Sequence, residues 1–240
     1  MNALDTELHR LYLVEGTTGV SPSLVTDDGR VRAMVLELAR PADWPVVSTV
    51  WQRVQSELGL PAPAIAVNGA DGYQLWFSLA EPVSAAEASF FLEALRQRFL
   101  GEVVPERISM LPTETRHAPL IPALQPSTGL WSAFVAPDLA AIFADAPGLD
   151  LTPRAEAQAY ILAPLESIKP RMFEAIFDQV ISDAERVSAA ASKPPSIPLV
   201  TAPARHDDSD DMRFLTEVMN DPSVDMHLRI EAAKALLPYA

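Results

Sequence analysis

The 240-residue chain has no cysteine. That absence excludes disulfides, thiolate metal sites and cysteine nucleophiles, and it agrees with a reducing compartment. Lysine is almost as scarce: Lys169, Lys193 and Lys234 are the whole set, so arginine supplies most of the positive charge. Positive charge is itself short, with 18 Lys and Arg against 32 Asp and Glu and a formal net charge of −14. Nucleic-acid binding draws much of its affinity from neutralising phosphates. A chain this acidic is therefore a poor general polyanion binder unless its basic residues gather on one face. No uninterrupted apolar run is long enough to span a bilayer, and Met1 to Glu7 is polar and acidic, unlike a basic signal region followed by an apolar stretch. The expected setting is the cytoplasm, with no membrane partner.

Several chemistries lack their signatures. His9, His117, His206 and His227 are scattered without ligand spacing, which argues against zinc. There is no Gly-x-Gly-x-x-Gly or phosphate loop, and Gly69 with Gly72 amounts to a turn. No Gly-x-Ser-x-Gly elbow suggests a hydrolase.

What is present is an ordered alternation of strands and helices. Residues 31–38 are apolar and β-branched and read as a largely buried strand. Asp43 reads as an N-cap with Pro45 in the first turn, Val46, Val50, Val54 and Leu58 recur at helical spacing, and Gly59 closes the helix. Residues 64–67 form a short strand. The turn dipeptides at Asn68 and Asp71 lead into a third strand over 73–79. Ser84 and Glu87 make a capping box, and Ala88, Phe91, Leu92, Leu95 and Phe99 stripe the helix behind it. Residues 107–111 supply a fourth strand. The order β-α-β-β-α-β predicts an α+β fold of the ferredoxin-like, RNA-recognition type: a four-stranded antiparallel sheet with both helices on one face and the other face open.

Beyond this core, residues 112–129 form a proline-rich loop, 131–135 a further strand, 137–144 a short helix and 171–191 an amphipathic helix. The sequence divides into a domain over 1–191, a Pro- and Asp-rich linker over 192–211, and a helical hairpin tail over 212–240. The tail resembles a single hairpin unit of the HEAT type and the C-terminal stretch of some phage packaging small subunits. Its apolar positions make residues 212–238 a candidate surface for self-association or a protein partner.

The stretch from Asn68 to Val83 carries a second resemblance: a glycine-rich turn, a strand, then Pro82 and Val83 leading into a helix. It is similar to the second conserved block of the archaeo-eukaryotic primase (primase-polymerase) superfamily. Residues 35–39 fall where that superfamily has its Asp-x-Asp strand, and residues 104–107 where it has a third acidic residue. The resemblance spans residues 31 to 143 and implies a primase-type fold. On it, Glu37 stands for the first metal carboxylate, Ala39 occupies the second position, and Gln74 replaces a histidine that binds nucleotide phosphates. Glu106 stands for the third carboxylate, although Arg107 is an equal register match. Two-metal phosphoryl transfer needs several convergent carboxylates, so the resemblance implies a degenerate site.

The expected function is therefore a non-catalytic protein, associated with replication or a mobile element, that binds a nucleotide, nucleic acid or a partner protein. Gln74, Trp76, Arg32, Arg107 and Arg116 are the candidate binding residues, and no cofactor is expected. Trp76 is either a stacking platform for a base or core beneath the 112–130 loop or later helices. The alternatives are an active primase, polymerase or nucleotidyltransferase using Glu37 and Glu106 with Mg²⁺ or Mn²⁺, and an oligomerising adaptor acting through the tail. The third strand lacks the aromatic and glycine-rich block of RNA-recognition modules.

Overall fold

A computed structural model of the protein describes residues 2–14, 24–26, 28–113 and 116–177. The predicted linker and tail, and residues 178–191 of the predicted amphipathic helix, lie outside the described residues; residues 170–177 are helical.

The chain runs α1 (Ala3–Leu11), β1 (Arg30–Ala39), α2 (Trp44–Leu58), β2 (Ala64–Val67), β3 (Gly72–Ser84), α3 (Ala85–Phe99), β4 (Ile108–Leu111), β5 (Ala133–Val135) and α4 (Ala155–Leu162). Five strands form one antiparallel sheet in the order β4-β1-β3-β2-β5. The first four strands have the predicted βαββαβ arrangement, and 133–135 adds a fifth at the β2 edge. Residues 105–107 form a 3₁₀ turn, so β4 begins one residue later than predicted. Among the described residues no helix is long and apolar enough to cross a membrane.

Local chemistry explains the boundaries. Asp43 accepts from the Val46 N–H at 3.2 Å at the start of α2, and Gly59 at φ 64° ends it in the left-handed region open to glycine. Ser84 and Glu87 close their reciprocal box at the start of α3. Strand alternation then sorts side chains to two faces. On the first, Met34, Leu36, Leu38, Leu75, Phe77 and Leu79 meet Val47, Val50 and Val54 of α2 and Phe91, Leu92 and Leu95 of α3 in one core. Both helices therefore pack on the same face.

The second face is not open, which corrects the sequence expectation. Leu4, Leu8 and Leu11 of α1, Tyr12, Ala118, Ile121, and Ala159 and Leu162 of α4 cover Ala33, Val35, Trp76 and Phe134 as a second core. Among the described residues the sheet is thus the middle of three layers. Arg10 ties the outer layer together by donating to the carbonyls of Leu162 and Leu165. The Ser78 hydroxyl holds the end of α1 through the Leu11 carbonyl at 2.6 Å. An Asn2–Asp5 capping box starts α1, a signal available in the sequence.

Candidate functional site

The resemblance places its chemistry on the second face, near the end of β1. Antiparallel register sets Glu37 opposite Gln74 on one side and Ser109 on the other. Gln74 donates from Nε2 to the half-buried Glu37 carboxylate at 2.6 Å, and Trp76 donates its indole N–H to Gln74 Oε1 at 2.9 Å. The three residues form a closed ladder running from the sheet end into the core. Gln74 and Trp76 are 4% and 1% exposed. Edge contacts from Tyr12 and Phe134, at centroid distances of 5.3 and 5.7 Å, surround the indole. Trp76 is therefore core, and no ring face is offered for a base to stack on.

Ala39, at the second carboxylate position of the resemblance, is 1% exposed. It lies against Gly72, where an added Cβ would stand 2.7 Å from the Ala39 Cβ. The two strands close together there because both positions are small.

Glu106 lies exposed on the 3₁₀ turn, and its carbonyl accepts from Arg40. Among the described residues no group of three His, Asp or Glu is placed to hold a metal ion. Glu37 with its amide partner, Ala39 in packed contact, and Glu106 on a turn do not fit a two-metal centre, whose ions require several converging carboxylates.

The candidate arginines are separated. Arg32 donates to the carbonyls of Leu79, Leu13 and Arg10 at 2.9, 3.1 and 2.7 Å, joining β3 to the end of α1. Arg107, at the other end of β1, donates to the carbonyls of Ala39 and Pro41 and pairs with Asp43 at 3.4 Å. Arg116 is exposed, and its backbone closes a turn with Thr113. Arg32 and Arg107 lie near opposite ends of β1 and bind backbone, so these two do not gather into one basic patch.

Two polar features escaped sequence reasoning. Buried Gln158 of α4 brackets Phe134 of β5, accepting from its N–H at 2.7 Å and donating to its carbonyl at 3.0 Å. Its neighbours in sequence are ordinary helix formers, so nothing marks it. Tyr73 donates to the Ala140 carbonyl at 2.7 Å, and burial pushes its phenol up to about 12; burial likewise raises Tyr12. Both phenols stay neutral, and that of Tyr73 anchors the Ala140 carbonyl.

The site and topology define an α+β domain with a ferredoxin-like strand order and both sheet faces covered. No protein-family model and no curated protein matches the chain. Among solved structures it is similar to the polymerase domain from Mycobacterium tuberculosis Ligase D in complex with DNA, at 15% identity and a TM-score of 0.35. The match covers 64% of this chain and 57% of that one, so the chain spans under two-thirds of that structure's length.

Proposed function

We propose that the chain is a non-catalytic, partner-binding protein on a primase-like α+β domain, with its association with replication or a mobile element resting on the sequence resemblance alone. The observation that carries the reading is the Glu37–Gln74–Trp76 ladder. The carboxylate expected to bind metal is held by a side-chain amide, itself held by a buried indole. Among the ligand classes, a protein partner is favoured over nucleic acid or nucleotide. Trp76 is covered, Arg32 and Arg107 are engaged with backbone, and the net charge is −14. The tail, which lies outside the described residues, belongs to the same proposal: the apolar positions of 212–238, including Phe214, Leu215, Ile230 and Leu236, require cover that the two short helices predicted from the sequence would not give themselves.

Primer extension tests the non-catalytic half. The full chain with template, primer, nucleotides and either Mg²⁺ or Mn²⁺ is expected to give no incorporation above a no-enzyme control. Incorporation abolished by Glu37→Ala would establish the metal-dependent polymerase instead. Single-stranded DNA binding, followed by anisotropy across a salt series, is expected to be weak and to fall steeply with salt.

A further inference from the structure

Between Val31 and Ala33 the pairing of β1 with β3 loses register: Val31 faces Val83 while Ala33 faces Ser78. One residue of β1, Arg32, thus spans four of β3, Leu79 to Pro82. Bulges re-aim side chains and recur beside functional sites. This one is internally supported, since Arg32 donates to the Leu79 carbonyl at 2.9 Å and Arg30 to the Pro82 carbonyl. On its far side, Ile168 forms a parallel bridge with Leu79, and the chain then turns at Pro170 into the helical residues 170–177.

The bulge and that helix diverge around a cleft of about 220 Å³. Leu79, Val83 and Phe173 make its apolar wall, and Phe173 is fixed by stacking on Phe91 at 5.0 Å. Three exposed carboxylates, Glu81, Glu87 and Glu174, also line it, and no Lys or Arg does among the described residues. Lys169 and Arg171 flank Pro170 in sequence, outside the lining. The Ser84 hydroxyl and N–H, with a smaller contribution from the Arg30 charge, hold the Glu87 carboxyl below the usual carboxylate range. The volume is below the roughly 300–1,000 Å³ of small-molecule and cofactor sites, and suits one anchoring side chain.

We propose that this cleft is the partner-binding surface and that its occupant is a basic amphipathic peptide segment of another protein, seating one large apolar side chain on Phe173 with flanking Arg or Lys at Glu81 and Glu174. This deepens the partner-binding reading and rests on it. An apolar anchor inside a charged rim is how a few residues dominate a protein interface, and the opposite charge sets specificity and on-rate.

The test uses the full chain and three labelled peptides of one length: an Arg-Phe-Arg core, the same with Ala for Phe, and the same with Asp for each Arg. Saturable binding of the first, with at least tenfold loss for each of the others, is expected. Double charge reversal Glu81→Lys with Glu174→Lys is expected to weaken the first peptide at least tenfold and to admit the acidic one. The control Asp138→Lys with Asp150→Lys changes net charge equally at two exposed positions outside the cleft and is expected to bind like the parent. Equal loss in both double variants would reduce the effect to the overall charge and overturn the site. So would the absence of saturable binding, including the case in which residues 178–240 already fill the cleft. Primer extension is independent of this result: a failed peptide leaves the non-catalytic reading standing, and incorporation removes that reading without touching the cleft.

Discussion

Replacing Trp76 by alanine is expected to destabilise the domain by about 3–5 kcal/mol, the range for emptying a large aromatic from a packed core. Against total stabilities of roughly 5–15 kcal/mol, that is a large share. At an m-value of roughly 2 kcal/mol/M the urea midpoint should fall by about 2 M. The size follows from position. Trp76 is 1% exposed between Tyr12 and Phe134, so the hole is walled by the sheet below and by the end of α1 above, and neither can collapse far. The indole N–H also anchors Gln74, which in turn bonds Glu37. Trp76→Phe separates the two effects. It keeps most of the volume and removes only the donor, so its expected cost is the smaller one of an unpaired buried oxygen, about 1–3 kcal/mol. A Trp76→Ala variant that melts with the parent would mean that the second face is not packed as described, and the base-stacking reading of the tryptophan would return.

The first core was legible because each of its elements carries its own punctuation. Asp43, Pro45 and Gly59 bound α2; Ser84 and Glu87 start α3; alternation from Tyr73 to Leu79 sorts β3 between two faces. The covering layer was harder for a physical reason. α1 has only 9 residues, with Leu4, Leu8 and Leu11 set among polar and charged ones. α4 has no side-chain cap, since Arg154 stands at its N-cap position. Such short helices draw their stability from tertiary packing rather than from propensity, and packing is what a single sequence displays least. The Asn2–Asp5 box is the clue the residues do carry: it starts a helix whose leucine stripe needs an apolar surface to cover. Glu37 and Gln74 were both legible as candidates. That they face each other followed only from the register of β1 on β3, which also hides the bulge at 79–82. In the sequence the strand reads as ending at Leu79, with Pro82 and Val83 leading into a helix, whereas β3 continues to Ser84 and re-pairs with Arg30.

Removing the Gln158 amide is the second change with a large expected effect. β5 is an edge strand that pairs with β2 through Ala133, Phe134 and Val135. On its other side the Phe134 N–H and carbonyl both meet the Gln158 side chain, so one amide takes the place of a sixth strand. Gln158 is 4% exposed, which leaves water little access to those groups. Gln158→Ala abandons a buried donor and a buried acceptor, at about 1–3 kcal/mol each, giving an expected loss of about 2–6 kcal/mol. Gln158→Glu sharpens the argument because it keeps the shape. At neutral pH its carboxylate still accepts from the N–H but opposes the carbonyl oxygen, so the variant should be destabilised. Protonation supplies an O–H donor to that carbonyl and restores the bracket. The folded-state pKa of the introduced carboxyl is therefore raised. The stabilising bond is present below the unfolded-state pKa and is lost as pH rises through the folded one. Thermal melts should show the Gln158→Glu deficit shrinking from about pH 7 towards about pH 4.5, near the ordinary glutamate value, while the Gln158→Ala deficit stays constant. An uncovered edge is also a template for pairing with another chain, so light scattering should register self-association of Gln158→Ala at concentrations where the parent shows no change. If both variants melt within about 0.5 kcal/mol of the parent, the level of an ordinary surface substitution, at every pH, water replaces the amide and the edge needs no guard.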